Sequence, residues 1–498
     1  MPLPDVSRLT LLPPSRTREL SARLRALGVD RQAIAPFARH GEDWLDRMRR
    51  PLRTFYLRRV RSPLVYALRL FVFMDPVTHE EAIEALASEA LLSALLEVGL
   101  IAPRDGGMVC PFLLNLVEDQ YLFCDELSIH REIVMGVGAT TAALLRATWP
   151  VKPLSSVLDL GCGAGTAALM LAEGAGRVVG SDINPRAIVL AKLNQALSDR
   201  HNVTFIAGDL FAPIGDQRFD LIVAQPPFVA KPDSEEAVTF LHGGARGDEL
   251  MLRILSELLA HLAPGGRAVF LADLPRYDDV APAERIRAAL GEGTFDLLLL
   301  ASPPKELGEY VAYYAANRYP DLGEEYGRAV HAHLDHLTRV GVTELCPMLF
   351  VVRAAELVTE RSPWTHTVTT KGFPVAKPTG AQIERLFAAQ DLLTGDSAAF
   401  LAARLVVPEG TRFTRDEAGQ VDIALDASRL IGTLTCGQSG ADLLTVVHES
   451  PSVADAVATL AKQMKLSDAA GHAEILRGVR IALSRGLLEL ALDVRAPA

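Results

Sequence analysis

Four short stretches of the chain carry residue types that could bind a charged ligand and act on it. They are VLDLGCGAG (residues 157–165), VVGSD (178–182), IAGDLF (206–211) and FDLIVAQPPF (219–228). Each is an apolar run that reaches a polar side chain, in order Asp159, Asp182, Asp209 and Gln225. Because ligands of open α/β sheets bind at the carboxyl ends of the strands, the pattern predicts one site built from four strand ends.

Three glycines at alternate positions, Gly161, Gly163 and Gly165, follow the first acid and enclose Cys162. Glycine lets the backbone turn sharply and lets a ligand approach where a Cβ would collide. The spacing differs from the dinucleotide pattern G-x-G-x-x-G, and the carboxylate of Asp159 would repel a pyrophosphate. A carboxylate here instead favours a cationic amino-acid group, such as that of S-adenosylmethionine.

Two further acids suit the remaining parts of such a ligand. Asp182 ends the second strand, where a carboxylate accepts hydrogen bonds from both hydroxyls of a ribose, and the neighbouring Ile183 is a candidate contact. Asp209 is placed to accept a hydrogen bond from an adenine amine while Leu210 or Phe211 packs on the ring.

With these motifs in order, residues 125–357 resemble the class I S-adenosylmethionine-dependent methyltransferases. The resemblance implies a Rossmann-like seven-stranded sheet that binds S-adenosyl-L-methionine and its product S-adenosyl-L-homocysteine. It assigns Asp159 and the glycine-rich loop to the methionine part, Asp182 to the ribose and Asp209 to the adenine.

The last motif, Gln225-Pro226-Pro227-Phe228, resembles the Asn/Asp-Pro-Pro-Tyr/Phe motif of enzymes that methylate glutamine amides and exocyclic amines. The lone pair of such a nitrogen is delocalised, so the nitrogen must be held in line with the methyl donor while acceptors bind its hydrogens. The candidate acceptors are the side-chain oxygen of Gln225 and the carbonyl of Pro226, whose direction the Pro-Pro pair fixes. Phe228 is placed to stack on the planar substrate. Gln225 is one methylene longer than the usual Asn or Asp, which leaves the substrate class open, and a purely structural turn is the alternative.

The elements that position these residues fall into three predicted domains of an α/β protein. Residues 1–124 combine helix-period apolar positions with an Asp-Gly-Gly turn at 105–107, which predicts a helical, winged-helix-like domain. Residues 125–357 alternate seven short apolar strands with helices, typical of a parallel sheet with crossover helices. Residues 358–498 predict a small α+β domain. Three stretches around the motifs, VMGVGATTAALL, SDINPRAIVLAKLNQAL and GGARGDELMLRILSELLAHLAPGG, resemble a group of larger bacterial methyltransferases with extra N- and C-terminal domains.

Composition limits the partners. A net charge of −11 argues against binding nucleic acid through bulk electrostatics. The local exception is a run of seven arginines from Arg47 to Arg61, interleaved with Phe55 and Tyr56, which predicts either phosphate contacts or a solvated helix whose aromatics point inward. The start of the chain lacks a secretory pattern, no apolar run approaches the roughly 18 residues of a membrane span, and the cysteines are scattered. We therefore expect reduced thiols, a cytoplasmic location and no membrane partner.

Three other patterns have a functional and a structural interpretation. HAHLDH, residues 331–336, matches the spacing of a dinuclear zinc site, but its flanks predict an amphipathic helix, so no metal site is expected. Five tyrosines between Tyr310 and Tyr326 predict either aromatic packing or a lid over the substrate. The GVGAT stretch at 136–140 predicts either packing or an approach to the cofactor from the side opposite the glycines.

The sequence therefore predicts an S-adenosylmethionine-dependent enzyme that methylates an amide or amino nitrogen on a planar group. A small molecule or a peptide or protein side chain is the favoured acceptor, and an RNA base is the alternative. A non-catalytic module that only binds the cofactor is the alternative of another class. The oligomeric state is left open.

Overall fold

The structure is a computed structural model of the chain. It describes residues 3–37, 49–126, 128, 130–148, 153–233, 235–277, 280–319, 321–355, 362–370, 380–417, 420–426, 429–430, 434–466 and 468–491.

The α-helices are α1 (Pro14–Ala26), α2 (Arg31–Ile34), α3 (Arg50–Leu57), α4 (Pro63–Ala67), α5 (His79–Leu86), α6 (Glu89–Glu97), α7 (Ala139–Thr148), α8 (Thr166–Leu171), α9 (Pro185–Ser198), α10 (Glu249–Leu258), α11 (Pro282–Leu290), α12 (Leu307–Arg318), α13 (Glu324–Arg339), α14 (Gly380–Thr394), α15 (Ser397–Ala402), α16 (Gln438–Glu449), α17 (Val453–Met464) and α18 (Ala469–Ser484). One π-helical segment, Leu68–Val72, continues α4.

The strands are β1 (Ala102–Arg104), β2 (Gly107–Val109), β3 (Leu113–Val117), β4 (Gln120–Cys124), β5 (Leu154–Leu160), β6 (Ala175–Asp182), β7 (Val203–Ala207), β8 (Phe219–Ala224), β9 (Val229–Ala230), β10 (His242–Gly244), β11 (Leu262–Arg276), β12 (Phe295–Ala301), β13 (Glu344–Ala354), β14 (Thr365–Thr369), β15 (Leu405–Val406), β16 (Arg412–Arg415), β17 (Val421–Ala424), β18 (Leu434–Cys436) and β19 (Glu489–Leu490).

The central sheet has eight strands in the order β14-β12-β13-β11-β8-β5-β6-β7. Seven of them, β5 to β8 and β11 to β13, are the seven apolar runs of the sequence, which confirms the Rossmann-like sheet. The structure differs from the prediction in two details: β14 adds to the edge beside β12, and β13 runs antiparallel to both β11 and β12. An apolar run does not reveal either detail, because burial on both faces favours the same residues whichever way the strand runs.

The chain divides into two compact units. The first consists of Met1–Thr141, Pro153–Ile254 and Tyr310–Val340, and the second of Ala142–Lys152, Leu255–Glu309 and Gly341–Ala498. The first unit contains β5 to β8 and all the residues predicted to contact the cofactor and the acceptor. The division into three domains at residues 124 and 357 stays a prediction.

In the first unit, the N-terminal helices and the β3–β4 hairpin share a core with α9. The helix contributes side chains three or four residues apart, as one face of a helix requires: Ala187, Leu190, Leu193 and Leu197. Asn194, fully buried on α9, donates hydrogen bonds to the carbonyls of Phe123 and Ala164 and accepts one from the Phe123 N–H. The hairpin is therefore joined through α9 to the glycine-rich loop.

A buried ion pair links α9 to Asp125, which directly follows the β3–β4 hairpin. Arg186 on α9 binds Asp125 through two hydrogen bonds, Nε to Oδ2 at 2.8 Å and Nη2 to Oδ1 at 2.5 Å. Their side chains are 9% and 1% exposed. Asp125 also accepts the N–H of Val134, and Arg186 also donates to the carbonyl of Pro4. Both charges are thus paired and hydrogen-bonded, as buried charges require.

The β1–β2 hairpin lies where the Asp-Gly-Gly sequence predicts it. Asp105 and Gly106, with φ of 52° and 76°, both adopt the left-handed conformation that a tight hairpin turn requires. The preceding helices start at side-chain caps: Thr78 and Glu81 form a capping box at α5, and Ser88 caps α6. The winged-helix assignment of this region stays a prediction.

The C-terminal part of the second unit combines helices with short sheets. Strands β16, β17 and β18 form one sheet and β15 pairs with β19. Buried side chains of α16, α17 and α18 share an apolar core with β15 and β17. None of the helices in the described ranges is long and apolar enough to cross a membrane. All five cysteines are free thiols.

Candidate active site

Parallel strands bring the four predicted motifs to one edge of the sheet. Leu160, the last residue of β5, lies opposite Ser181 of β6 on one side and Ala224 of β8 on the other. Gly161 and Gln225 therefore leave their strands side by side. Asp182 ends β6 opposite Ala207 of β7, just before the Asp209 segment.

The glycine-rich loop folds over the end of β6. The N–H groups of Gly161 and Cys162 donate to the carbonyl of Ser181 at 2.8 and 2.9 Å. Gly161 and Gly163 have φ of +76° and +52°, and a Cβ built on either would meet no atom within 4 Å. These two glycines therefore leave open space above the loop, as a bound ligand requires.

The third glycine of the loop, Gly165, is explained by packing and not by space for a ligand. A Cβ on Gly165 would lie 2.7 Å from the ring of Phe205 and 3.1 Å from Ala191, so Gly165 is needed for packing inside the protein. Cys162 is 6% exposed, and burial raises the pKa of its thiol. Its side chain faces the interior as a neutral group, which leaves only its backbone to contact a ligand.

The carboxylates of Asp159 and Asp182 are held by backbone N–H groups. Asp159 accepts from Ala168, and Asp182 accepts from Gly163 and Asn184, each at 2.8 Å. Burial, reinforced by the charge of Asp182, raises the pKa of Asp159 to about 7, and burial also raises the pKa of Asp182. Among the residues that the structure describes, neither carboxylate has an ion-pair partner. The site thus offers uncompensated negative charge to a cationic ligand.

At the other end of this edge, two apolar side chains are accessible. Ile183 is 57% exposed and Leu210 is half-buried with φ of 45°, whereas Phe211 is 2% exposed and belongs to the core. Asp209 Oδ2 accepts a hydrogen bond from Arg253 Nη2 on α10 at 2.7 Å. Sequence reasoning missed Arg253, because it lies 44 residues away with no motif around it.

Gln225 is held by two threonines at the start of α7. Its Nε2 donates to Thr140 Oγ1 at 2.6 Å, and its Oε1 accepts from Thr141 Oγ1 at 3.2 Å. Pro226 is buried, while Pro227 and Phe228 are half-buried. Within the 136–140 stretch, Thr140 thus contacts Gln225, while an approach of this stretch to the cofactor stays a prediction.

Gly136, in the same stretch, has a packing role. A Cβ there would lie 2.6 Å from Asn115 Nδ2 and 2.7 Å from Cys124 Sγ, both in the β3–β4 hairpin. Gly138 has no comparable neighbour, since only Thr140 Oγ1 comes within 4.0 Å of its Cβ position. The two glycines thus do different things: Gly136 allows close packing, and Gly138 precedes the helix.

The segment after the Pro-Pro pair lies against it. A Cβ on Gly243 would lie 2.4 Å from the Pro227 carbonyl oxygen, and one on Gly247 would lie 2.5 Å from that of Phe228. Strands β9 and β10 pair in this region, and Gly243 and Gly247 bring the chain close to the backbone of the motif. Sequence reasoning missed these glycines. The run GGARG was their signal, because clustered glycines indicate close backbone approach.

Helices α12 and α13 pack beside this segment. Tyr310 is buried, with its ring 4.6 Å from that of Tyr314 and 6.3 Å from that of His333, while Tyr313 is 65% exposed. Packing explains Tyr310, and the lid stays a prediction. The HAHLDH segment is helical, as its flanks predict, and His336 Nε2 lies 2.6 Å from the Ala245 carbonyl oxygen. No cluster of three possible metal ligands occurs within the described ranges.

From Arg49 onward the arginine run forms α3 and its flanks, and Arg47 lies outside the described residues. Arg53 and Leu57 point inward, but Phe55 and Tyr56 are 50% and 56% exposed, so the aromatics do not point inward as one interpretation of the run proposed. Several of the cations are already engaged: Arg50 pairs with Glu126, Arg58 with Asp75, and Arg59 stacks on Phe55. An exposed aromatic surface remains beside them.

The sequence of the chain is similar to those of several known proteins. Residues 136–272 match the methyltransferase small domain family. The chain is 36% identical over 146 residues to a putative protein N5-glutamine methyltransferase of Methanocaldococcus jannaschii, which covers 28% of this chain and 72% of that protein.

Two bacterial relatives are similar over somewhat shorter stretches. The release factor glutamine methyltransferase of Geobacter sulfurreducens is 39% identical over 125 residues, 22% of this chain and 43% of that protein. The ribosomal protein uL3 glutamine methyltransferase of Xylella fastidiosa is 35% identical over 125 residues, 23% of this chain and 40% of that protein. The chain thus spans about two fifths of the length of these two enzymes.

Proposed function

The chain belongs to the family of S-adenosylmethionine-dependent methyltransferases, and on that premise we propose that it methylates the side-chain amide nitrogen of glutamine in a protein or peptide. The observation that carries the proposal is the position of Gln225-Pro226-Pro227-Phe228 at the end of β8. Because β8 pairs with β5, this motif stands directly beside the glycine-rich loop. The names of the relatives, which are glutamine methyltransferases, support this class of acceptor.

The geometry suits the cofactor. Gly161 and Gly163 leave open space, and the buried carboxylates of Asp159 and Asp182 have no ion-pair partner in the described part of the chain. Asp159 and the loop would hold the methionine end, Asp182 the ribose, and Asp209 with Ile183 and Leu210 the adenine. When bound, S-adenosylmethionine supplies an electrophilic methyl group on its sulfonium.

The acceptor residues act on the amide. Gln225 Oε1 and the Pro226 carbonyl accept its two hydrogens, which holds the nitrogen in line with the methyl group. Phe228 packs against the amide plane. The new C–N bond forms as the S–C bond breaks, and the nitrogen then loses one proton to water, so no general base is required.

The test is transfer of deuterated methyl from labelled cofactor into fractionated host extract. Mass spectrometry then locates the label in the protein, RNA or small-molecule pool, and peptide sequencing assigns it to a residue. We expect the label on a glutamine side chain, and translation proteins are the first substrates to examine. Substrates of this class would also favour a cytoplasmic location. Label confined to small molecules, or on oxygen or carbon, would refute the proposal.

An RNA base is the second candidate, and the exposed face of α3 favours it. Phe55 and Tyr56 offer rings on which bases stack, and Arg59 lies over the Phe55 ring. The two candidates differ in salt dependence. RNA binding through arginines weakens steeply as salt rises, whereas an enclosed glutamine side chain responds little. An RNase-sensitive labelled pool would support this candidate instead.

A further inference from the structure

We propose that Thr140 and Thr141 are positioning residues that tether the carboxamide of Gln225 for catalysis. The inference rests on the proposed function and deepens it, because it explains how a glutamine replaces the usual Asn or Asp of the motif. Both threonines lie in the first turn of α7, so a single helix end presents both hydroxyls.

The extra methylene creates a problem that the threonines solve. Glutamine has one more rotatable bond than asparagine, and a freely rotating amide would rarely point an acceptor at the substrate. Here Nε2 lies 2.6 Å from Thr140 Oγ1 and Oε1 lies 3.2 Å from Thr141 Oγ1. Two hydrogen bonds fix the position and plane of the amide.

The two hydrogen bonds to the threonines leave one lone pair of Gln225 Oε1 free to accept a hydrogen of the substrate amide. An amide oxygen has two lone pairs and an amide nitrogen has two hydrogens. Each threonine uses one of these, so one lone pair on Oε1 and one hydrogen on Nε2 remain. Because a hydroxyl both donates and accepts, the pair holds the amide in either orientation, and the free lone pair accepts an N–H of the substrate.

A counterintuitive consequence is that restoring the usual motif harms the enzyme. In Gln225→Asn the amide recedes by roughly 1.5 Å, about one C–C bond. Both contacts with the threonine hydroxyls then exceed hydrogen-bonding distance. The shorter side chain is therefore expected to lose the tether as fully as a loss of the hydroxyls would.

The kinetic test is a set of variants assayed on the glutamine substrate found above. Replacing both threonines by valine is expected to lower kcat about tenfold with unchanged cofactor affinity, while serine at both positions keeps kcat. On its own, Gln225→Asn is expected to lower kcat. When both threonines are valine it lowers kcat no further, since both changes remove the same interaction. Wild-type kcat in the valine variant, or additive losses, would overturn the proposal. Thr204→Val, an exposed threonine on β7, is the control.

A second measurement needs no substrate, so it separates this inference from the proposed function. In ¹⁵N-glutamine-labelled protein, the Nε2 signals of Gln225 are identified by their loss in Gln225→Asn. We expect slow hydrogen exchange in the wild type and faster exchange in the double valine variant. Equal exchange rates would overturn the tether. If glutamine methylation is absent while exchange differs, the proposed function fails and the tether stands.

Discussion

The proposed cofactor half of the site, on β5 to β7, and the proposed acceptor half, after β8, are held in place differently. Asp182 is fixed by backbone N–H groups of Gly163 and Asn184, and the nearer of them is two residues away. Gln225 is fixed by side chains 84 and 85 residues away. Local backbone contacts form with the fold itself, whereas the acceptor half depends on how distant segments meet.

The support behind the two halves also differs. Behind the cofactor half, Asp125 and Arg186 form an ion pair that is almost fully buried. On the acceptor half, Asp233 and Arg339 form a pair whose side chains are 75% and 60% exposed. A buried charge that loses its partner is costly, while an exposed one is solvated by water.

The largest expected effect tests this contrast. Asp125→Ala leaves the Arg186 guanidinium buried without a carboxylate, and we expect the free energy of unfolding to fall by about 3–5 kcal/mol. Asp233→Ala, the matched control, should leave stability nearly unchanged. Urea denaturation of the cofactor-free chain measures both. A similar loss of unfolding free energy in both variants would show that the buried and the exposed ion pair do not differ in their contribution to stability.

The same contrast explains which parts the sequence predicts. The seven strands and their polar ends are readable because each signal lies within a few consecutive residues. Arg253, Gly243 and the Thr140–Thr141 pair were missed or only partly anticipated, because their roles exist only once separate segments meet. The glycine-rich loop shows how far the sequence can be interpreted within one motif. Gly161 leaves open space for a ligand, whereas Gly165 makes room for the ring of Phe205.

A second prediction separates binding from turnover. Asp182→Ala should weaken cofactor binding by about 1.5–3 kcal/mol, or roughly ten- to hundredfold, because hydrogen bonds to a charged group are lost. Gln225→Ala should leave that affinity unchanged and lower kcat about ten- to hundredfold, since its amide acts on the acceptor. Isothermal titration and steady-state kinetics measure the two quantities. Full turnover in Gln225→Ala would remove Gln225 from the mechanism, whereas cofactor binding without any methyl transfer in the wild type would support the non-catalytic cofactor-binding module.

A third prediction concerns pH. Burial raises the pKa of Asp159 to about 7, and a cationic ligand binds its ionised form better. Cofactor affinity should therefore fall as the pH drops below 7, by at most about tenfold per unit, and level off above it. Asp159→Asn should remove the slope. Gln225, Pro226 and Phe228 do not titrate, so kcat at saturating cofactor should vary much less. An equal slope in Asp159→Asn would place the titration elsewhere.

The smallest expected effect is at Arg253, which is distant in sequence and donates a hydrogen bond to Asp209 in the proposed cofactor half. Its guanidinium binds Asp209 Oδ2 at 2.7 Å, and the two side chains are 53% and 42% exposed. A pair so accessible contributes only about 0.2–1 kcal/mol. In the proposed site, Oδ1 of Asp209 would accept from the adenine amine while Arg253 orients the carboxylate through Oδ2. Arg253→Ala should thus weaken cofactor binding by at most about fivefold, and Arg253→Lys by less. Isothermal titration at low and high salt measures the change, which salt should diminish. Tighter binding in Arg253→Ala would mean that the arginine competes with adenine for Asp209.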